Sequence, residues 1–304
     1  MEKEQLKNSQ LIIPVIEDYD AIPKGDMPGD KIKIEADHVR KSAVIFPELL
    51  GKLKNVMEKQ PNQKAVISVY GGSGVGKSEL GSLLAYYLND KGIGAYILSG
   101  DNYPHRIPVK NDAERLRVFR ESGIKGLVRK GEYSEEKNAV LKRLQEEGED
   151  CNSLYADRYP WLIVYQKSGE DGLRHYLGTR KEIDFEELNH IIAQLKEGQP
   201  KIWLKRMGRK EQELWYEEID MSHISVLVME WTHGNNRNLI GVDVPIFLNS
   251  TPQETLEHRR SRNRDGNIDS PFTMMVLKLE QELLQTQTEQ AEIIVLKNGE
   301  LIKK

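Results

Sequence analysis

Residues 65–78 of this chain read Ala65-Val66-Ile67-Ser68-Val69-Tyr70-Gly71-Gly72-Ser73-Gly74-Val75-Gly76-Lys77-Ser78. The first six form a short, largely apolar run of the kind found in buried parallel strands. The last eight fit the pattern G-x-x-x-x-G-K-[ST], and leucines at helical spacing follow them. This order of strand, glycine-rich turn and helix predicts a phosphate loop, whose glycines let backbone N–H groups face phosphate oxygens.

The phosphate loop predicts a nucleoside triphosphate site, with ATP and Mg²⁺ as cofactors and all eight loop residues as candidate contacts. Lys77 is expected to reach the β- and γ-phosphates, and the Ser78 hydroxyl is expected to ligate Mg²⁺. The alternative is a glycine-rich turn with an incidental Lys-Ser pair. The motif leaves the reaction open, because kinases, motors, switches and translocases share it.

Strand-like and helix-like segments alternate along the rest of the chain. They predict an α/β fold, a doubly wound and mainly parallel sheet of the P-loop NTPase type. The predicted strands are 65–70, 95–98, 224–229, 242–248 and 292–296. The predicted helices of the same region are 37–59, 80–88, 251–264 and 271–289.

The stretch between the second and third predicted strands is too long for a simple crossover, so we predict a substrate-binding or lid insert there. It shows helical spacing around 112–121, 135–147 and 184–197. The expected organisation is an N-terminal arm and helix over 1–60, a core formed by 61–103 and 224–304, and an insert over 104–223. Within the first of these, residues 1–37 predict an extended or loosely packed arm.

Composition excludes several classes of protein. The 304 residues carry 44 Lys plus Arg against 48 Asp plus Glu, a balance that argues against a nucleic-acid partner held by bulk charge. Cys151 is the single cysteine of the sequence, which excludes an internal disulfide framework and a cysteine-based zinc site. No apolar stretch is long enough for a membrane helix or a secretory signal. We therefore expect a cytoplasmic protein with no membrane partner. A homodimer is compatible with the sequence.

Asp101 follows the second predicted strand directly, within Ser99-Gly100-Asp101-Asn102. The carboxyl ends of neighbouring parallel strands converge on the ligand crevice, so this carboxylate is expected near the γ-phosphate. There it would accept the proton of an attacking hydroxyl. A turn-forming or helix-capping aspartate is an equally weighted alternative.

Glu230 closes the third predicted strand, where the acidic residue of a phosphate-loop site usually holds Mg²⁺. His233 follows it and is a candidate substrate contact, although we favour a hydrogen-bonded structural histidine. Farther on, the helix predicted over 251–264 ends in four arginines, among them Arg259, Arg262 and Arg264, which would close over the triphosphate. The alternative is that these arginines only complement the negative end of the helix dipole at the helix C-terminus. That would explain one or two arginines better than it explains four.

Together these segments resemble the phosphoribulokinase/uridine kinase family of P-loop kinases over about residues 60–300. The segments that carry the resemblance are GGSGVGKS (71–78), SGDNYP (99–104), IDFEELNHIIAQLKEGQP (183–200), VLVMEWTHG (226–234), IFLNSTPQETLEHRRSRNRD (246–265) and AEIIVLKNGEL (291–301). The resemblance implies a nucleoside-kinase-like fold and an ATP- and Mg²⁺-dependent kinase that phosphorylates a hydroxyl of a small metabolite. It also implies that Asp101 is the catalytic base, that Arg259 and Arg262 are lid arginines, and that the loop containing Asn298 packs the adenine.

The sequence departs from uridine kinases in the stretch 201–209, which lacks their Tyr and His-x-Arg group and retains only Arg209 as a clear counterpart. The acceptor is therefore left open among sugars, polyols, sugar phosphates and nucleoside-like molecules. The remaining candidate substrate contacts are Tyr103 and Arg106. The insert also contains arginines that would suit an anionic acceptor: Arg106, Arg115, Arg117, Arg120 and Arg129. The alternative, which we favour, is that Arg115, Arg117 and Arg120 form part of a solvated helix face. The competing function is a P-loop ATPase switch that acts on a protein partner.

Overall fold

The computed structural model describes residues 13–302 apart from 14, 17, 21, 30 and 263–269. Its α-helices are α1 (Ala36–Met57), α2 (Lys77–Asp90), α3 (Pro108–Arg129), α4 (Glu135–Glu147), α5 (Leu162–Arg174), α6 (Phe185–Lys196), α7 (Leu256–Arg262) and α8 (Pro271–Gln285). Its strands are β1 (Ala65–Gly71), β2 (Ala95–Ser99), β3 (Lys201–Met207), β4 (Leu214–Asp220), β5 (Val226–Trp231), β6 (Val244–Asn249), β7 (Ile293–Leu296) and β8 (Leu301–Ile302). None of the helices in these ranges is long and apolar enough to cross a membrane.

The central sheet has the strand order β2-β5-β1-β6-β7-β8. The first five strands pair in parallel, and β8 pairs antiparallel with β7 at one edge. β1 lies in the middle, with β5 on one side and β6 on the other. The phosphate loop follows β1 and therefore begins at the centre of the sheet. The predicted α/β class, the parallel sheet and the long insert between β2 and β5 are confirmed.

Alternate residues of β1 face the two sides of the sheet, as the period of a strand requires. Ile67 and Val69 pack in one cluster with apolar residues of α1 and α2. Val66 packs on the opposite face of the sheet with α6 and with β3, which forms an antiparallel hairpin with β4. Both faces of the sheet are therefore covered, which explains why its strands read as nearly continuous apolar runs.

The insert contains a helical unit of its own, in which α3 crosses α5. Glycines bring these two helices close together: a Cβ added to Gly123 would lie 2.5 Å from the Tyr165 ring, and one added to Gly169 would lie 2.6 Å from the Phe119 ring. The sequence did not predict α5 or the antiparallel β3–β4 hairpin. Since α6 and β3 pack on the central sheet itself, the division into a core and a separate insert stays a prediction.

The segment before α1 is irregular in its described residues, as predicted, but it is not loosely packed. Ile22 is 2 % exposed and belongs to the same apolar cluster as α1 and β1. The side chain of Asp26 is only 6 % exposed and contacts the strand end of β2. The arm is thus part of the folded body at these two positions.

Candidate active site

The phosphate loop connects β1 to α2 and takes its shape from its glycines. Gly74 and Gly76 have φ angles of 77° and 93°, in the left-handed region that side-chain-bearing residues rarely adopt. Lys77 begins α2, and its Nζ donates a hydrogen bond of 2.9 Å to the carbonyl oxygen of Gly72. The lysine therefore folds back over the loop, with its ammonium group at the position where phosphate oxygens are cradled.

Glu230 lies at the end of β5, between the ends of β1 and β2, where it pairs in register with Val69 and Ser99. Its Oε2 accepts a hydrogen bond of 3.0 Å from Ser78 Oγ, and its Oε1 accepts one of 2.5 Å from Ser99 Oγ. Burial, together with the nearby Asp101 carboxylate, raises the pKa of Glu230 to about 8. The carboxyl group thus holds a proton at neutral pH until a cation replaces it.

Ser78 and Glu230 fit a Mg²⁺ ion. Their two side-chain oxygens already lie 3.0 Å apart at the mouth of the phosphate loop. Within the described ranges no three His, Cys, Asp or Glu residues gather into a metal cage. One carboxylate and one hydroxyl suit Mg²⁺, which commonly completes its shell with phosphate oxygens and water.

Asp101 lies in a 3-10 turn, Gly100–Asn102, at the end of β2. This turn packs tightly on Trp231, since a Cβ added to Gly100 would lie 2.1 Å from Trp231 Cγ. Asp101 is exposed to a cavity that Lys77 and Ser78 also line. The predicted base, phosphate-binding lysine and metal ligand are therefore brought together.

Arg259 of α7 lies over the phosphate loop, as expected of a lid arginine. A Cβ added to Gly74 would lie 2.9 Å from Arg259 Cγ, and Arg259 Nη1 donates to the carbonyl oxygen of Pro252 at 2.9 Å. Arg259 is 7 % exposed and lines the cavity. Arg264 lies outside the described residues, as does the side chain of Arg262, so their proposed roles stay predictions.

The cavity has a volume of about 510 Å³ and extends from the phosphate loop to the insert. Its far end is formed by a set of polar side chains that we call the Arg115 cluster: Asn111, Arg115, Glu182 and Glu280. Arg115 Nε contacts Glu182 Oε1 at 2.6 Å, and Arg115 Nη2 contacts Glu280 Oε1 at 3.2 Å. Asn111 Nδ2 donates to Glu182 Oε1 at 3.0 Å. Glu182 and Glu280 thus compensate the Arg115 cation, together with Asp112, whose Oδ1 lies 3.8 Å from Arg115 Nη1.

The pKa shifts of the two acids reflect this compensation. Burial alone would raise the pKa of Glu182, but the attraction of Arg115 and the hydrogen bond from the Gly178 backbone N–H together help to hold that pKa below its ordinary value. Burial raises the pKa of Glu280, and Arg115 offsets only part of the increase. Neither acid was predicted from the sequence, because a charged residue at a helix edge or loop gives no signal of burial until its partner is known.

Arg117 and Arg120 of the insert do not line the cavity. Arg117 pairs with Glu114 and Glu121 on the surface of α3. Arg120 pairs with the buried Asp150 at 3.0 Å. The expected solvated face holds for Arg117 but is wrong for Arg115 and Arg120, whose charges are compensated by buried acids.

Three further predicted substrate contacts, Arg106, Arg209 and His233, line the cavity. His233 is 4 % exposed, and burial lowers its pKa to about 4, so its imidazole is neutral at neutral pH. The prediction for Tyr103 needs correction, and the prediction for Asn298 stays open. Tyr103 is fully buried in the cluster beneath the hairpin, because β3 and α6 cover it, and it does not line the cavity. Asn298 lies in the exposed β7–β8 turn, so its contact with adenine stays a prediction.

Comparison with known proteins gives one curated relative. No protein-family model matches the chain. The chain is 42 % identical over 251 residues to the bifunctional alpha-galactosidase/sucrose kinase AgaSK of Mediterraneibacter gnavus. This match covers 83 % of the chain but 22 % of the relative, so the chain spans about a fifth of that protein's length.

Comparison with solved structures finds a putative fructose transport system kinase from Silicibacter sp. TM1040, at 15 % identity and a TM-score of 0.48, covering 83 % of this chain and 94 % of that chain. A D-glycerate 3-kinase from Cryptococcus neoformans is 11 % identical with a TM-score of 0.47, covering 89 % and 99 %. A possible uridine kinase from Bacillus stearothermophilus is 14 % identical with a TM-score of 0.41, covering 81 % and 98 %.

Proposed function

We propose that this protein is an ATP:alcohol phosphotransferase that transfers the γ-phosphoryl group of ATP to a hydroxyl group of a small neutral carbohydrate. One observation carries the proposal: Lys77 and Ser78 of the phosphate loop, the acidic Glu230 and the exposed Asp101 all line a single cavity. A phosphate loop alone serves many reactions. A second carboxylate on the acceptor side of the same cavity is what a hydroxyl acceptor requires.

Each group has a role that its chemistry supports. Asp101 accepts the proton of the acceptor hydroxyl as that oxygen attacks the γ-phosphorus, and ADP leaves. Lys77 and the loop amides hold the β- and γ-phosphates, while Arg259 stabilises the charge of the transferring group. Ser78 and Glu230 would hold a Mg²⁺ ion, which would supply positive charge to the phosphate oxygens.

The electrostatics of the acceptor end favour a neutral molecule over a sugar phosphate. Arg115 is already paired with Asp112, Glu182 and Glu280. Arg106 Nη2 lies 3.8 Å from Glu114 Oε1, and at neutral pH His233 carries no positive charge. A phosphorylated acceptor would bring its dianion next to these carboxylates. Hydroxyl groups, by contrast, match the amide and carboxylate groups of the Arg115 cluster. The sucrose kinase name of the curated relative supports sucrose as the first candidate.

An acceptor panel tests the function. The purified protein is incubated with ATP, Mg²⁺ and either sucrose, monosaccharides, polyols, their phosphates or nucleosides, and ADP is measured against the acceptor-free rate. We expect ADP formation to depend on a neutral sugar and to fail with its phosphate. Equal ATP hydrolysis with and without every acceptor would contradict the proposal and support the switch function.

The role of Asp101 is tested by Asp101→Asn, which keeps the shape of the side chain and removes the proton acceptor. We expect kcat for phosphoryl transfer to fall by about 10²–10⁴, the usual contribution of a general base. Asp90→Asn at the exposed end of α2 is the matched control. A kcat for Asp101→Asn within about tenfold of wild type would refute this role.

A further inference from the structure

Asp26 of the N-terminal arm contacts the turn that carries Asp101. Its Oδ1 accepts hydrogen bonds from the backbone N–H of Ser99 at 2.7 Å and from Asn102 Nδ2 at 3.0 Å. These two residues flank Gly100 and Asp101, so Asp26 contacts the turn on both sides of the proposed base. The turn itself is only three residues long and has no ladder partner of its own.

The other oxygen of Asp26 connects the turn to the hairpin. Oδ2 pairs with Arg206 Nη1 at 2.9 Å and accepts a hydrogen bond from Tyr96 Oη at 3.2 Å. Arg206 belongs to β3, and its Nη2 donates to the same tyrosine oxygen at 2.9 Å. Asn102 adds a second link to the hairpin, because its Oδ1 accepts from the Met207 backbone N–H at 3.0 Å.

This network is buried, and both carboxylate oxygens of Asp26 have hydrogen-bond partners in it. The side chains of Asp26 and Arg206 are 6 % and 5 % exposed, so their charges interact with little screening by solvent. Burial raises the pKa of Asp26 to about 6, and the attraction of Arg206 opposes the increase. A buried carboxylate with four partners on two separate chain segments, 96–102 and β3, is costly to remove, since each partner would lose its acceptor.

The same arm also passes the proposed metal ligand. A Cβ added to Gly25 would lie 3.6 Å from Glu230 Oε1, and Met27 lines the cavity beside Asp101. The arm therefore covers the side of Glu230 that faces away from the phosphate loop. Residues 25–27 thus belong to the wall of the site, although they precede the first strand by almost forty positions.

We propose that Asp26 is a positioning residue, which holds the Gly100–Asn102 turn against the hairpin and so fixes the carboxylate of Asp101 toward the acceptor hydroxyl. This inference rests on the proposed function, in which Asp101 is the base. It assigns the N-terminal arm a part in phosphoryl transfer. Nucleotide binding by the phosphate loop is expected not to depend on Asp26, because its hydrogen bonds and ion pair go to Tyr96, Ser99, Asn102 and Arg206 rather than to residues 71–78.

The test compares the wild type with Asp26→Asn, which preserves the size of the side chain and removes its charge. Asp20→Asn, an exposed aspartate of the same arm, is the matched control. We expect Asp26→Asn to lower kcat at least about tenfold while KM for ATP changes less than about threefold, as for a loss confined to the transition state. Hydrogen–deuterium exchange of the peptide covering 99–104 should become faster in Asp26→Asn and remain unchanged in Asp20→Asn.

A second variant guards against a failure of Asp26→Asn to fold. Asn102→Ala removes one of the two hydrogen bonds from Asp26 to the turn region, together with the bond from Asn102 to Met207. It leaves the hydrogen bond from Ser99 and the ion pair with Arg206 intact, and it should show a selective loss of kcat in the same direction. Unchanged kcat in the folded variants overturns the inference, and so does a parallel loss of kcat and ATP affinity. If the wild type phosphorylates no acceptor, the proposed function fails instead. In that case unchanged exchange over 99–104 in Asp26→Asn still overturns the positioning role.

Discussion

Glu230 is expected to release a proton when Mg²⁺ and nucleotide bind. Its carboxyl group is 3 % exposed, and its pKa is raised to about 8 by burial and by Asp101. A carboxyl group must lose its proton to ligate a metal ion, so binding displaces whatever proton the free protein holds. From this pKa we expect roughly one proton released per nucleotide at about pH 6.5, roughly half a proton at pH 8 and about a tenth at pH 9.

The same displacement weakens binding at low pH. Well below the pKa each pH unit costs about 1.4 kcal/mol, a factor of about ten. Close to the pKa the change is smaller, so apparent affinity for the Mg²⁺–nucleotide complex should fall roughly fivefold from pH 8 to pH 7. The free protein follows the opposite trend in stability. Because the pKa of Glu230 rises from 4.5 to about 8 on folding, the folded state holds more protons between these values. The contribution of Glu230 to the free energy of unfolding therefore decreases as pH rises through that range.

Calorimetry measures the released protons directly. A non-hydrolysable ATP analogue with Mg²⁺ is titrated into the protein in two buffers of different ionisation enthalpy, at several pH values. The same titrations are carried out with Glu230→Gln. The number of protons released with this variant is subtracted from the wild-type number, which removes the protons that the nucleotide itself releases. If wild type and Glu230→Gln release equal numbers of protons at pH 6.5, or if the difference between them grows with pH, the argument for a protonated Glu230 is refuted.

Three substitutions of glycine test the packing. Gly169→Ala should destabilise the protein by about 1–3 kcal/mol in urea unfolding, since the new Cβ lies 2.6 Å from the Phe119 ring and overpacks the interface. Gly51→Ala in α1 is its control: nothing lies within 4 Å of the added Cβ, so it should stabilise by about 0.5–1 kcal/mol. Gly100→Ala should lower kcat more than it lowers ATP affinity, because the added Cβ would lie 2.1 Å from Trp231 and would displace the turn that carries Asp101. Steady-state kinetics measures both quantities, and equal losses of kcat and ATP affinity would contradict this prediction.

The parts of the fold that the sequence predicts are those with local signals. The phosphate loop carries its own glycines and lies between a β-branched run and a helical one. Glu230 is recognisable because a single acidic residue interrupts an apolar strand. Helix α1 is predicted by its periodic apolar face, and the structure confirms it as Ala36–Met57.

The parts that the sequence does not predict depend on partners far away in the chain. Helix α5 contains Gly169 and Gly172, which lower helix propensity, and only the close approach of α3 explains them. Strand β4 is almost entirely exposed, so it lacks the alternation that reveals a strand. Asp26 lies in an irregular arm, and its partner Arg206 is 180 positions away.

The strand order of the sheet has a consequence for folding during synthesis. β1 pairs only with β5 and β6, and β2 pairs only with β5. Neither strand has a neighbour in the sheet until residue 226 and beyond have left the ribosome. About the first three-quarters of the chain thus emerges with unpaired, apolar strand edges, the kind of surface that aggregates or recruits chaperones. The long-range pairing that closes the sheet is also slow, since a loop of more than a hundred residues must be closed first. The helices of the insert, with their local contacts, are then the first part of the chain able to form a packed core before the nucleotide site exists.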